Sequence, residues 1–537
     1  MRSLRFLALF LLVLCLVTAP SFGQAPTQTP APEAGNAPPL QEQPSANPPK
    51  DDQQAAAPEK KISKQEAQEL FNSADDILRF ASQQTGLPIK HPVKHKLTSR
   101  DEVQKFIEKR MKDDPDAKRL EESEYVMKKF GLLPADFNLR TFMVSMLREQ
   151  VAGYYDSKTK TMNLLDWLPL EAQKPVMAHE LTHALQDQFV NLEKWEEGDT
   201  PEGKKLSLPQ QLALDEVRVA RQSVTEGQAM LVLIDYSLQP TGRSSADAPD
   251  AVKMMEDQMM DGTGSPIFSS APLYIKRAMM FPYREGTEFE RQVLVSDGKQ
   301  GAYKGTLETP PQDTHEVMQP KSYLDGKHIP LLTVPDYDKV LGHVWEQIDF
   351  GALGQFDVNV LIELYEDAAT ANDLTSSWRG GYYYAAHKKG ARPEDVAFIY
   401  VSKWADDDAA ADFARVFVDS WKQRYKSLRV NPDGQKHDAT IIQKETDQGL
   451  VSVQRVGSIV IAVESFPEEE ATRLRQAALE ADSGGTDTKA SLPLRIGPMF
   501  DLSKLAPLRG IVLHAATLAN RGGAQSASDY WGKMKLH

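Results

Sequence analysis

Two histidines and a glutamate stand at a spacing that suits a hydrolytic metal site. Residues 179–183 read His179-Glu180-Leu181-Thr182-His183. On a helix, residues i and i+4 lie one turn apart on the same face, so both imidazoles can reach one metal ion. Glu180 is then placed to take a proton from a metal-activated water. The pattern predicts a zinc centre with His179 and His183 as ligands and Glu180 as general base.

A catalytic zinc usually takes three protein ligands and leaves one position open, so a third ligand is expected downstream. Glu226 is the first choice, because it lies in a helical pattern from about Leu212 to Tyr236 and precedes Gly227. A glycine inside a helix costs about 1 kcal/mol relative to alanine, so Gly227 indicates a close helix approach. The other acidic residues that stay open as ligands are Glu193, Glu196, Glu197, Asp215 and Glu216.

These residues resemble the gluzincin group of zinc metallopeptidases, in which a second helix supplies a glutamate to complete a His, His, Glu site. Residues 179–187 read HELTHALQD, similar to the active-site helix of thermolysin-type enzymes, and residues 225–229 resemble the Glu-Gly segment of zinc aminopeptidases. The resemblance is confined to these two helices. It implies a zincin-like catalytic domain with one Zn²⁺ per chain, the ligands His179, His183 and Glu226, the base Glu180 and the outer-shell residue Asp187.

The surroundings of the ligands depart from the thermolysin type. The gap between His183 and Glu226 is longer, and Met230 stands where a carboxylate that orients the first histidine is expected. Metal-bound histidines nearly always donate their second ring nitrogen to another group. We therefore expect an outer shell drawn from a backbone carbonyl or from Asp187, Asp215 and Glu216.

A hairpin is predicted just before the histidine helix. Residues 149–156 and 161–165 have strand composition and flank a short loop at 157–160. In zincin folds this strand runs along the cleft, and its edge backbone pairs with an extended peptide. The resemblance thus implies a substrate edge strand formed by Val151, Ala152, Gly153 and Tyr154.

Two segments beyond the second helix are loop-like by composition, at 281–286 and 310–315. Peptide hydrolysis builds an oxyanion that a tyrosine, histidine or arginine can stabilise. The residues considered for this role are Tyr283, Arg284, His315 and Tyr323, and the alternative at each of them is ordinary packing or a satisfied loop side chain.

Composition divides the chain into four parts. Residues 1–23 combine two arginines, an apolar run too short to span a bilayer and small residues, as in a signal peptide. Residues 24–60 are rich in proline, alanine and glutamine, which predicts a disordered linker. We expect a zincin-like domain at 61–335 and a small α+β domain at 336–537, whose sheet is covered on one face. The predicted fold class is α+β.

Charge and cysteine content restrict the partners. The net charge of −14 argues against nucleic acid and against an anionic membrane surface. The one cysteine lies in the predicted signal peptide, so the mature chain would have no intramolecular disulfide. The expected partner is a peptide or protein substrate in the periplasm or outside the cell, with no membrane span in the mature chain.

Two functions follow from these patterns. The first is an exported zinc metallopeptidase that hydrolyses peptide bonds with a metal-activated water and Glu180 as general base. The alternative is a non-catalytic, gluzincin-like scaffold for binding or assembly in the cell envelope. The oligomeric state, the side-chain preference and the choice between endopeptidase and exopeptidase action stay open.

Overall fold

The computed structural model of this chain describes residues 61–112, 117–150, 153–196, 198, 208–261, 265–430 and 440–482. The predicted signal peptide and linker, residues 1–60, lie outside these ranges, as does the C-terminal segment 483–537. Helices and strands both occur throughout the described ranges, which confirms the predicted α+β class. None of the helices in these ranges is both long and apolar enough to cross a membrane.

The first half of the chain is mainly helical. Its elements are α1 (Lys64–Thr85), β1 (Lys94–Thr98), α2 (Arg100–Lys112), α3 (Ala117–Phe130), α4 (Leu139–Gln150), β2 (Gly153–Asp156), β3 (Thr161–Leu165), α5 (Leu170–Val190), α6 (Leu192–Glu196), α7 (Leu208–Leu238), α8 (Pro249–Asp261), α9 (Pro266–Ser269), α10 (Leu273–Lys299), a π-helical turn (Gln300–Gly305), α11 (Thr306–Glu308), α12 (Thr314–Met318) and α13 (Pro320–Leu324).

The second half contains most of the strands. Its elements are α14 (Tyr337–Leu341), β4 (Trp345–Ala352), α15 (Gln355–Tyr365), α16 (Ala368–Thr375), β5 (Trp378–Lys388), β6 (Ala397–Trp404), α17 (Asp407–Arg424), β7 (Leu428–Val430), β8 (Ile441–Thr446), β9 (Gly449–Val456), β10 (Ile459–Glu464) and α18 (Glu468–Asp482).

Two sheets organise these strands. The smaller has the order β1-β3-β2, with β1 parallel to β3 and β2 antiparallel to it. The hairpin expected from the sequence is therefore present, and β2 lies at the edge of this sheet. The larger sheet has the antiparallel order β4-β5-β6-β10-β9-β8-β7.

Apolar side chains cover the larger sheet on both faces. On one face Phe130 of α3 stacks on Phe398 of β6, with ring centroids 4.3 Å apart. On the other face Phe466, just before α18, and Leu474 of α18 pack in one core with Trp345 of β4. The expectation of one covered face is wrong, because the strands carry apolar residues at successive positions and so bury both faces. Phe130 also shows that the predicted domains 61–335 and 336–537 share a core.

The histidine helix α5 begins earlier than the sequence indicates. A proline suits the first turn of a helix, so the sequence predicts a start at Pro175, but α5 starts at Leu170 and Pro175 lies inside it. The side chain of Gln173 anchors these extra residues, since its amide bonds to the N–H and the carbonyl of Leu165 at the end of β3. A tertiary contact therefore sets the start of the helix.

Residues 281–286 are not a loop. They lie in the middle of α10, which continues through Pro282. A proline removes one backbone hydrogen bond and often ends a helix, yet here the flanking Phe281 and Tyr283 are buried and hold the segment against its neighbours. This correction places Tyr283 on a helix face with a fixed direction.

Candidate metal centre

The three predicted ligands meet in the interior of the protein. The Nε2 atoms of His179 and His183, both on α5, lie 3.0 Å apart. Oε2 of Glu226, on α7, lies 3.2 Å from the first of these nitrogens and 3.3 Å from the second. All three side chains are fully buried. Their ligand atoms lie within 4.8 Å of one another, so this group could hold a metal ion.

A close helix crossing lies directly beside Glu226. A Cβ atom on Gly227 of α7 would collide with the carbonyl of Gly286 of α10, and a Cβ on Gly286 would collide with the carbonyl of Ser223. Two glycines thus allow the backbones of α7 and α10 to touch, because neither has a side chain in the interface. The close approach expected at Gly227 is confirmed.

The electrostatics of the site keep Glu226 charged. Burial by itself raises the pKa of this carboxyl, but the interactions with His183 and His179 outweigh the burial and lower the pKa to about 2. A buried carboxylate beside two imidazole nitrogens is a donor set that divalent transition metals accept. The residues present therefore fit a metal ion.

Glu180 is also buried and is held by the edge strand. Its Oε2 accepts a hydrogen bond of 2.8 Å from the backbone N–H of Tyr155 in β2. The hydroxyl of Tyr155 donates to Oδ2 of Asp187, and Lys160 reaches the same oxygen at 2.6 Å. Burial and the charge of Asp187 raise the pKa of Tyr155. Strand β2 is thus fixed to α5 at two points, one of which sets the direction of Glu180.

The predicted outer-shell carboxylates have other partners. Besides Tyr155 and Lys160, Asp187 accepts from the backbone N–H of Leu192 at 3.2 Å. Glu216 accepts from the N–H and the hydroxyl of Thr314 at 2.9 and 2.7 Å, and burial raises the pKa of Glu216 to about 8. For Asp215 the structure describes the backbone alone.

A glutamine holds the second histidine instead. Nδ1 of His183 lies 2.8 Å from Oε1 of Gln186, which is fully buried one turn further along α5. Gln186 is not among the outer-shell residues expected from the sequence. Residues three apart on a helix are neighbours, so this spacing shows that Gln186 can reach His183. The spacing alone does not single it out, because glutamines so placed are common on helix surfaces.

One of the four residues considered for oxyanion stabilisation lies at the centre. The ring of Tyr283 is nearly parallel to that of His179, with an interplanar angle of 23° and centroids 6.3 Å apart. Tyr283 is buried and belongs to α10. The crossing of α7 and α10 three residues further along α10 brings it to this position.

The other three make contacts elsewhere in the described chain. Arg284 lies 3.5 Å from Glu285 and lines a cavity of about 240 Å³ between α10 and α15. Nδ1 of His315 lies 2.5 Å from Oε1 of Gln355, and burial lowers the pKa of His315. The hydroxyl of Tyr323 donates to the carbonyl of Thr309 at 2.7 Å.

The predicted substrate strand is described in part. Gly153 and Tyr154 belong to β2, and Tyr154 stacks on Phe106 at 4.7 Å. Val151 and Ala152 lie outside the described residues. Among the alternative ligands, Glu193 pairs with Lys158 at 3.4 Å. Glu196 is largely buried in α6, and Glu197 lies outside the described ranges.

Comparison of the chain with protein-family models, with curated proteins and with solved structures finds no match in any of the three. The features of this chain that indicate a function are therefore the geometry of His179, His183 and Glu226 and the position of Glu180.

Proposed function

We propose that the protein is an exported zinc metallopeptidase that hydrolyses peptide bonds, with Glu180 as general base. The observation that supports this most directly is the buried group of His179, His183 and Glu226. Glu180 follows His179 on α5, and a backbone hydrogen bond from the edge strand β2 holds its carboxylate. Two imidazoles and one carboxylate are a ligand set of catalytic zinc sites, which leave a fourth position for water or substrate.

The residues of the chain divide the chemistry between them. His179, His183 and Glu226 would hold the zinc ion, which would supply Lewis acidity for polarising a scissile carbonyl and activating water. Glu180 would take a proton from the attacking water and return it to the leaving amine. The N–H of Tyr155 keeps the carboxylate of Glu180 directed toward β2, along which the substrate is expected to lie.

Two further features fit a peptide substrate. Gly153 is at the start of β2, which is an edge strand although its residues are buried, and an extended peptide that reached this edge would pair with its backbone whatever the side chains. Tyr283 lies over His179 and is therefore the residue we assign to stabilising the oxyanion. The composition of residues 1–23 supports export, which cell fractionation with and without this segment would test.

The decisive test is the substitution Glu180→Gln in the mature chain. We expect the variant to keep about one zinc per chain by elemental mass spectrometry, because Glu180 is not a ligand. Its cleavage of a quenched fluorescent peptide library should fall by about 10²- to 10⁴-fold, the contribution of general acid–base catalysis. The matched control is Glu193→Gln, which removes a surface carboxylate paired with Lys158. A Glu180→Gln enzyme as active as the wild type would exclude the mechanism.

One observation favours the second function, a non-catalytic scaffold of the cell envelope. His179, Glu180, His183 and Glu226 each have 0% exposed surface, so neither water nor a peptide reaches them until a neighbouring element moves. A metal in such a site would stabilise the fold without turnover. Zinc binding together with no cleavage of any peptide in the library would support this function over the first.

A further inference from the structure

Gln186 makes three hydrogen bonds in the interior, all of them beside the metal ligands. Its Oε1 contacts Nδ1 of His183 at 2.8 Å. Its Nε2 donates to the carbonyl of Thr225 at 3.0 Å and to Oε1 of Gln228 at 2.9 Å. Thr225 and Gln228 flank the ligand Glu226 on α7. The one side chain of Gln186 therefore joins a ligand on α5 to the segment of α7 that supplies another ligand.

The partners of Gln186 fix which way its amide points. A backbone carbonyl only accepts hydrogen bonds, so the atom of Gln186 that faces Thr225 is the amide nitrogen. The oxygen then faces His183, and an oxygen there requires a proton on Nδ1. The neutral ring in this form carries its lone pair on Nε2, and Nε2 is the atom that lies 3.3 Å from Oε2 of Glu226.

Gln228 repeats the arrangement one step further from the histidine. Its Nε2 donates to the carbonyl of Ala302 and to the hydroxyl of Thr306, both at 2.9 Å. Because Ala302 offers a carbonyl, the oxygen of Gln228 must face Gln186. Gln186, Gln228 and Thr306 are each fully buried, so water does not compete for these bonds. A relay of two oriented amides thus runs from the π-helical turn to the ring of His183.

The two histidines differ in this respect. Nδ1 of His183 has the relay, whereas Nδ1 of His179 has no hydrogen-bond partner in the described part of the chain. The tautomer and the ring angle of a metal-bound histidine are set by the bond that its second nitrogen makes. The relay can therefore act on one ligand separately from the other.

We infer that Gln186, oriented by Gln228, is a positioning residue that holds His183 in the Nδ1-protonated form and thereby sets the affinity of the centre for zinc. This inference rests on the metal site of the proposed function. It assigns to two glutamines the task for which the sequence suggested a carboxylate or a backbone carbonyl.

The first test is zinc affinity, measured by competition with a chromophoric chelator on the mature chain. Gln186→Leu should weaken binding by about 10- to 100-fold, the usual effect of losing an outer-shell partner. The matched control is Gln173→Leu, because Gln173 is equally buried on α5 and bonds backbone groups of Leu165 and Leu168. Equal affinity in the Gln186→Leu and Gln173→Leu variants would overturn the inference.

A second variant covers the case in which Gln186→Leu does not fold. Gln228→Leu leaves the contact between Gln186 and His183 in place but removes the group that orients the amide. We expect a smaller weakening of zinc binding in the same direction. Zinc affinity unchanged from that of the wild type would show that the relay does not act on His183.

The tautomer can be read without any metal. In ¹⁵N-histidine-labelled, metal-free protein, long-range ¹H–¹⁵N spectra should show His183 protonated at Nδ1, and Gln186→Leu should shift the ring toward a mixture of tautomers. The signal is assigned from its absence in a His183→Asn variant. A wild type that binds no zinc would refute the proposed function, while this spectrum would still decide whether Gln186 sets the ring. A His183 ring protonated at Nε2 would overturn the inference.

Discussion

Two buried clusters of charged and polar groups differ in how their charges are balanced. The ligand cluster, His179, His183 and Glu226, sets a carboxylate against two imidazoles, which are positive only when protonated. The arginine cluster, Arg424, Glu464 and Tyr425, sets a carboxylate against a guanidinium that stays charged at any ordinary pH.

The surroundings of the two clusters reinforce the difference. Arg424 also donates to the carbonyl of Lys129, and Glu464 also accepts from the indole of Trp421 at 2.7 Å. Burial by itself lowers the pKa of Arg424, but the neighbouring Glu464 and tyrosines outweigh the burial, so the pKa is raised. The arginine cluster is thus neutral as a unit and links α3 to α17 and β10. The ligand cluster could hold a divalent cation, whereas the charges of the arginine cluster are already paired with each other.

The largest expected effect is the loss of metal from the ligand cluster. Glu226→Ala should reduce bound zinc from about one per chain to none, because two imidazoles alone rarely hold a catalytic zinc. Zinc at 1,000 times its dissociation constant should stabilise the wild type by about 4 kcal/mol and leave the variant unchanged. Elemental mass spectrometry and urea unfolding with and without zinc check both values. Full zinc content in Glu226→Ala would remove the distinction between the clusters.

The second prediction concerns the arginine cluster. Glu464→Gln leaves Arg424 buried beside a neutral amide, which should lower the free energy of unfolding by about 3–5 kcal/mol. Zinc content should stay at the wild-type value, since the cluster is on a different part of the fold from the ligands. Urea unfolding measures the loss. A loss below about 1 kcal/mol would mean that the pair of Arg424 and Glu464 contributes no more than an exposed ion pair does.

The third prediction uses pH. Burial lowers the pKa of Lys129, beside the arginine cluster, from 10.5 to about 8. Between these values the unfolded chain binds the proton and the folded chain does not, so wild-type stability should rise with pH across this window. The rise is at most about 3 kcal/mol. It should be missing in Lys129→Met, and urea unfolding of both proteins at several pH values checks the difference. If stability changed with pH in the same way in both proteins, the low pKa would not belong to Lys129.

The smallest expected effect comes from the helix crossing beside the ligand cluster. Gly227→Ala places a methyl group against the carbonyl of Gly286, and overpacking of this kind costs about 1–3 kcal/mol. Zinc affinity should also weaken, because α10 carries Tyr283 over His179. The control is Gly305→Ala, where a Cβ meets only the carbonyl of Gln300 at an ordinary 3.6 Å. Thermal unfolding measures the stability of both variants. Equal stability would show that α7 and α10 can move apart at the crossing without cost.

Interpretation of the sequence succeeded where short-range geometry decides. The hairpin from Gly153 to Leu165 follows from strand composition and a short polar loop. The tight packing at Gly227 follows from the energetic cost of a glycine within a helix. It failed where a tertiary contact overrides local preference. Gln173 holds the residues before Pro175 in α5, so the helix starts at Leu170. Buried neighbours keep α10 helical through Pro282.

The sequence by itself determined that His179 and His183 share one face, because the helical repeat places residues four apart one turn from each other. Only the tertiary structure decided that Glu226 is the carboxylate that reaches them and that Gln186 holds His183. It also decided that Tyr283 lies beside the pair while His315 does not. Such contacts depend on how α5, α7 and α10 cross, and those crossings arise from packing between residues far apart in the chain.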